Sequence, residues 1–466
     1  MNTSYCPRLS FWQIWNMSFG FVGIHFALGL QMANMGPIFK YLGAADAQIQ
    51  MLWLAAPLTG LLVQPIIGAM SDRTWCGLGR RRPYFLAGAI LSSLALLLMP
   101  RSGTLWMAAG LLWILYASIH VSIGPFRAFV ADKLPEEQRA TGFTMQSAFI
   151  GLGAVVAWMM PWMLKHWFGV ESGTGGENAI PLNVRMSFYI GAAALLGAVL
   201  WTVCTAEEYP PENVAEFRRE MAERPGAAAL VGEIRDALRA MPTMMKHLAL
   251  VQFFTWLGLF CMWLHFSNAV PVIFGAPDKD SPLFQAGTEW AGVCYAVKDA
   301  VTVAGAFALM ALARSADRRF LHAVCLVCGA VGLLSVGFIH GEGQKSLLLV
   351  AMGLGGIAWA SILSMPYALL AGSLPPARAG VYMGIFHFFI VLPQLLAVLT
   401  FGPLVKNFLG GNLVHAVMAG GVFMLIAAVL TIFLPNPGLG GTRLLPLIVD
   451  AEALLPTLTP PETTKS

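Results

Sequence analysis

Apolar runs of roughly 20 to 28 residues recur along the whole chain with short loops between them, and this recurrence leaves few folds open. An α-helix rises ~1.5 Å per residue, so about 20 apolar residues cross a ~30 Å hydrocarbon core while satisfying their own backbone hydrogen bonds. The pattern predicts spans near 11–36, 46–70, 83–100, 104–130, 141–164 and 185–205, then 247–274, 288–313, 320–340, 346–373, 379–405 and 412–434. The expectation is an all-α membrane protein of about twelve transmembrane helices. Composition excludes the soluble alternative: 57% hydrophobic and 11% charged residues, with mean hydropathy +0.69, leave no polar coat. Soluble domains carry about 25% charged residues.

The start, MNTSYCPRLSFWQIWN, lacks the tripartite pattern of a secretory signal, so the first span is expected to be kept. If both termini are cytoplasmic, most of the 28 Lys and Arg fall on the cytoplasmic side, as short basic loops do. The seven cysteines are scattered, with Cys325 and Cys328 inside an apolar run, and read as small packing residues. No metal or cofactor site is suggested, nor any nucleic-acid partner. The expected surroundings are the lipid bilayer of a cell membrane, the inner one in a bacterium, and the expected state is a monomer.

Residues 206–246 form the one long polar stretch, and EFRREMAER and GEIRDALRA within it have the charge spacing of a surface helix. The Pro-rich residues 435–466 read as a cytoplasmic, disordered tail. An internal repeat divides what remains. ADKLPEEQRATGFTM at 131–145 is echoed by AGSLPPARAGVYM at 371–383, an offset of about 240 residues. Nearly the same offset relates Pro125 to Pro366, and Ser71-Asp72-Arg73 to Ala316-Asp317-Arg318. Two duplicated six-helix bundles, 1–205 and 247–434, joined by a 206–246 loop, are expected. Halves related by an axis along the membrane normal are the major facilitator arrangement, with cargo bound between them. Pro125 and Pro366 lie late in related helices, where a missing backbone donor permits a bend.

The loop GAMSDRTWCGLGRRRP at 68–83 sets Asp72 among Arg73, Arg80, Arg81 and Arg82 at a helix end. A topology signal needs no acid there. Charge pairs that hold one transporter state and break in the other do need one, and these five residues are the candidate gate.

From this loop outward the sequence resembles the glycoside-pentoside-hexuronide cation symporters, particularly the sucrose/proton symporter branch. The similar segments are GIHFALGLQMANMGPIFKYLG at 23–43, LVQPIIGAMSDR followed by GRRRPYFLAG, WILYASIHVSIGPFRA at 113–128 and GVYMGIFHFFIVLPQ at 380–394. They cover much of the first half and less of the second. The resemblance implies a disaccharide cargo of the sucrose or maltose type, carried with protons. In that branch the fourth span bears a sugar- and proton-binding aspartate where this chain has Tyr116, and an asparagine where it has His120. At i and i+4 these two share one helix face.

With that acid gone, Asp299 is the one residue of the 24 Asp and Glu expected deep in a span. An intramembrane acid costs at least ~2.5 kcal/mol on insertion scales and usually faces a cavity, a partner or a coupling ion. Its neighbour Lys298 is expected to point elsewhere, since adjacent helical residues diverge by about 100°. Histidines can titrate near neutral pH, and of His25, His120, His265 and His387 the sequence favours His120. Asp299 and His120 are therefore the candidate proton-coupling groups. Gln31, Asn34, Tyr116, His120, Asn268 and Gln394 are the candidate sugar contacts, Gln31 and Gln394 also matching the family pattern. Trp53, Trp263 and Trp359 are candidate stacking surfaces.

No HExxH, P-loop or nucleophile elbow is present, so an enzyme is not expected. Besides a proton-coupled importer, an uncoupled sugar facilitator or exporter and a non-transporting sugar sensor stay open.

Overall fold

The structure, a computed structural model, describes residues 7–435 except 44–51, 53, 171–179, 181, 212, 223–226 and 278–280. Trp53 and the tail beyond residue 435 lie outside the described residues. What is described is helical, with no strand among those residues.

The first half comprises α1 (Phe11–Ser18), α2 (Gly20–Tyr41), α3 (Ala55–Asp72), α4 (Arg82–Leu98), α5 (Leu105–Lys133), α6 (Glu136–His166) and α7 (Leu182–Thr205). Two short helices, α8 (Val214–Ala222) and α9 (Ala227–Arg239), occupy the polar middle. The second half has α10 (Thr243–Phe274), α11 (Pro282–Leu312), α12 (Arg318–Ser335), α13 (Lys345–Ile362), α14 (Met365–Ala371), α15 (Ala379–Phe386), α16 (Phe388–Phe408) and α17 (Leu413–Ile432). Among the described residues, ten helical segments from residue 82 onward are long and apolar enough to cross a membrane. The helices at 11–41 and 55–72 stand where the first two spans are expected.

Polar caps set the helix starts. Ser10 forms a capping box with Gln13, and Thr104, Ser281, Asp317 and Asn412 each accept a backbone N–H of the first turn. Side chains such as Leu94, Ile114, Val331, Val350 and Ile432 stay exposed, which suits a surface solvated by lipid.

Helix pairing repeats between the halves. In the first, α2 packs on α6 and α7, α5 on α3 and α4, and α4 on α7. In the second, α10 packs on α16 and α17, α13 on α11 and α12, and α12 on α17. Substituting each helix by its repeat partner converts one set into the other. The halves meet along α6 with α11 and along α3 with α15, themselves a symmetric pair of contacts.

The repeat-related prolines behave differently. Pro125 sits inside the continuous α5. The helix breaks between Ile362 and Met365, just before Pro366, which lacks an N–H and restrains its predecessor: Leu363 N still bonds Trp359 O, but Ser364 N turns to Ser361 O in a tighter bend. A second break falls at His387, between α15 and α16.

Candidate substrate and coupling site

The polar groups buried where the halves meet begin on α2. Gln31 Nε2 donates to the Tyr116 hydroxyl on α5 at 2.5 Å, and Gln31 Oε1 is buried with no partner among the described residues. One turn on, the His120 ring stacks beside Tyr116 with centroids 6.4 Å apart. Gln64 Nε2 on α3 donates to His120 Nδ1 at 2.8 Å, and His120 Nε2 faces the Ala56 carbonyl at 3.2 Å. An amide nitrogen only donates, so Nδ1 accepts and the ring proton sits on Nε2, giving a neutral imidazole. A doubly protonated ring would require Gln64 to turn its oxygen inward.

Across the interface, the His387 ring lies 5.3 Å from His120, centroid to centroid. Gly60 makes this approach possible: a Cβ there would stand 2.7 Å from His387 Nε2. Five side chains from α2, α3, α5 and the α15–α16 break thus form one cluster. Gln394 lies seven residues beyond His387, on the same helix face. Asn34 is buried but donates to Leu30 O of its own helix at 2.7 Å, and Asn268 is exposed near the end of α10. Neither joins the cluster. His25 bonds the Phe21 carbonyl at 3.2 Å, and His265 is near Phe401 instead.

Arg127, two turns beyond His120, went unnoticed in the sequence because an arginine near a helix end reads as a topology signal. It is 8% exposed. Its guanidinium lies 3.7 Å over the Tyr367 ring, and Nη1 donates to Leu363 O at 3.4 Å, where the α13–α14 break frees that carbonyl. An isolated buried charge costs several kcal/mol, and no carboxylate is paired with this one among the described residues.

Asp299 is buried on α11 beside α6, where a Cβ on Gly151 would approach its carbonyl oxygen to 3.4 Å. The expectation for its neighbour is overturned: Lys298 Nζ donates to Asp299 Oδ1. The lysine stem is long enough to curl around the helix, and a low-dielectric surrounding strengthens the pairing beyond what Cβ directions suggest. Lys298 Nζ also lies 5.6 Å over Trp359, whose ring packs 5.4 Å from Trp263 and 5.7 Å from Trp256. Trp256 Nε1 and both amide atoms of Gln252, one turn earlier, are buried without partners among the described residues.

At the arginine-rich end, Arg81 is fully buried between Asp72 (2.5 Å), Asp132 (2.9 Å) and Ser71 Oγ (2.5 Å). Burial opposes its charge, but the Asp132 and Asp72 carboxylates outweigh it and hold the guanidinium more firmly protonated than free arginine. Asp72 also accepts the Gly380 and Val381 N–H groups at 2.9 and 2.8 Å, at the start of α15 in the other half. That contact relies on glycine at both surfaces, since a Cβ on Gly68 would lie 2.3 Å from Gly380 O. The other arginines are placed differently. Arg73 pairs with Glu233 of α9 at 2.7 Å, Arg80 lies over Phe217 of α8, and Arg82 donates to Val203 O at 2.9 Å. Glu208 accepts the backbone N–H groups of Arg80, Arg81 and Arg82 at 2.8–2.9 Å. Asp132, Glu208 and Glu233 were unpredicted, because their partners lie 51 to 160 residues away. Arg139 Nη1 to Ala371 O and Arg318 Nη2 to Glu136 O, both 3.0 Å, add further ties between halves at this end.

Paired helical halves, a buried polar cluster between them and a charge clasp at one end define a membrane carrier. Residues 17–398 match the Major Facilitator Superfamily model, and the chain belongs to that superfamily: it is a transporter, not an enzyme. It is similar to the sucrose transport protein SUC4 of Arabidopsis thaliana, 25% identical over 427 residues, covering 84% of this chain and 83% of that one. The sucrose transport protein SUT1 of Oryza sativa subsp. japonica is 26% identical over 466 residues, covering 88% and 85%. Among solved structures, the transporter FucP in the outward conformation aligns with TM-score 0.65 at 14% identity, covering 91% of this chain and 98% of FucP. The proton:xylose symporter XylE aligns with TM-score 0.64 at 14% identity, covering 93% and 97%.

Proposed function

We propose that this protein imports a disaccharide or related glycoside of the sucrose or maltose type by proton symport, the halves 1–205 and 247–434 rocking about the cargo. The observation that carries this reading is the neutral cluster of Gln31, Gln64, Tyr116 and His120 facing His387 across the interface. Such groups hydrogen-bond hydroxyls without demanding charge, and the Gln31 oxygen, which has no partner among the described residues, supplies an acceptor. Similarity to sucrose transport proteins over more than four-fifths of each chain supports the cargo class. Asp299 and His120 are the groups assigned to the coupling proton. Asp299 would release Lys298 on protonation, and His120 would turn Gln64; either event changes contacts where the halves meet. The Asp72–Arg81 clasp holds the arginine-rich end, taken as cytoplasmic, closed while cargo enters from outside. The membrane assigned is the cell membrane, the inner one in a bacterium, with both termini in the cytoplasm and the protein acting as a monomer.

Proteoliposomes of purified protein, given an inward proton gradient and labelled sucrose or maltose, test the reading. Uphill accumulation abolished by an uncoupler is expected. Equilibration without accumulation would replace symport by facilitation, and binding without uptake would make the protein a sensor.

A further inference from the structure

The polar middle of the chain carries a helix with one face uncommitted. On its inner side α9 is held by both halves. Glu233 pairs with Arg73 at the end of α3 at 2.7 Å, and the Ala240 carbonyl, just past the helix, accepts the Tyr382 hydroxyl of α15 at 3.3 Å. Ala237 is fully buried between these two contacts. The opposite side is an open groove lined by Val231, Ile234, Arg235, Leu238 and Arg239, which spacings of three and four residues gather on one helix face. Val231 is 64% exposed, and Leu238 is exposed one face-repeat further on. The two arginines lack a firm countercharge. Arg239 has no acidic partner among the described residues, and Arg235 shares only the exposed Asp236 at 3.3 Å.

The place of α9 decides what meets this face. On α3 the exposed Leu62, Ile66 and Met70 recur every four residues, a stripe that faces lipid. Arg73, which holds Glu233, comes three residues after Met70, so α9 is anchored where the lipid-facing stripe runs out. That is the level of the headgroups. A helix lying there with an apolar strip edged by arginines has the pattern that binds an anionic membrane surface: aliphatic stems lie on the acyl region while guanidiniums reach phosphates. A zwitterionic headgroup would set its own cation beside two guanidiniums, and an anionic one does not.

We propose that this face of α9 seats an anionic phospholipid of the adjoining leaflet, its acyl chain along Val231, Ile234 and Leu238 and its phosphate at Arg235 and Arg239. The lipid is thereby bound to the element that touches the closing helices of both halves, α3 and α15.

The test places a nitroxide on Val231→Cys in full-length protein whose Cys6, Cys76 and Cys204 are replaced by serine. It compares vesicles of phosphatidylcholine alone with vesicles in which a third of the lipid is phosphatidylglycerol. Collisions with oxygen, which concentrates among acyl chains, are measured against collisions with a nickel chelate confined to water. The oxygen-to-nickel ratio is expected to rise at least three-fold with phosphatidylglycerol, and the pair Arg235→Gln and Arg239→Gln to abolish the rise. A ratio equal in the two lipids, or a rise that survives the paired substitution, overturns the proposal. So does a label shielded from both reagents, which would put a second copy or another protein on this face. Should the variants not fold, the detergent-purified native protein decides: its Tm is expected to rise more with short-chain phosphatidylglycerol than with short-chain phosphatidylcholine or glycerol 3-phosphate. Equal rises from the two lipids would remove the role of charge, and an equal rise from glycerol 3-phosphate that of the acyl chain; either overturns the proposal. None of these readouts depends on transport, so the glycoside reading stands or falls separately.

Discussion

Replacing Asp72 tests the clasp at the arginine-rich end. Its carboxylate accepts two backbone N–H groups from the opposite half, Gly380 and Val381, besides its pairing with Arg81. Hydrogen bonds to a charged group contribute about 1.5–3 kcal/mol each, and the start of α15 adds a favourable helix dipole. Asp72→Asn keeps one acceptor oxygen but loses the second and the charge, a loss of about 2 kcal/mol from the closed state. At 1.4 kcal/mol per ten-fold, the closed-to-open ratio at this end falls about 30-fold. Asp72→Ala removes both crossing bonds and should shift it further. Spin labels at the exposed Leu78 and Ser315, in loops of opposite halves, report the separation by electron double resonance. Each variant should show a longer-distance population. Distributions unchanged in both would refute the clasp, whatever happens to uptake.

Other perturbations test separate parts of the account. Gly68→Val places a branched side chain against the Gly380 backbone and should cut uptake at least ten-fold while the protein still reaches the membrane, checked by transport and surface labelling. Tyr116→Phe strands the Gln31 amide nitrogen, worth about 1–3 kcal/mol, so KM for sugar should rise roughly five-fold or more or the Tm should fall. Asp299→Asn should retain sugar counterflow yet lose uphill accumulation; full accumulation in this variant would exclude Asp299 as the coupling acid. Gln64→Leu removes the donor to His120 Nδ1 and should alter the pH profile of uptake, a change that a packing role would not produce.

Periodic features were legible in the sequence. Span positions follow from apolar run length, and the offset between 131–145 and 371–383 anticipates a helix pairing that repeats between halves. Tyr116 and His120 were placed on one face from helical spacing, and Asp72 stood out as an acid among the arginines of its loop. What escaped was contact across long sequence separations. Nothing local announces that Gln64 and His387 converge on His120, or that Glu208 caps the loop at Arg80–Arg82. Arg127 was hidden by its ordinary position near a helix end. Lys298 was misjudged because Cβ directions were weighed and the reach of a four-carbon stem was not. Asn34 and Asn268 fit the chemistry of sugar contacts, but one is held by its own helix and the other is exposed.

Proton-driven uptake in sealed proteoliposomes tests the central claim most directly. With an inward proton gradient, internal labelled glycoside should exceed the external concentration, collapse on adding an uncoupler, and depend on Asp299 or His120. Accumulation that ignores the uncoupler, that requires sodium, or that survives the combined Asp299→Asn and His120→Ala substitutions would contradict the account.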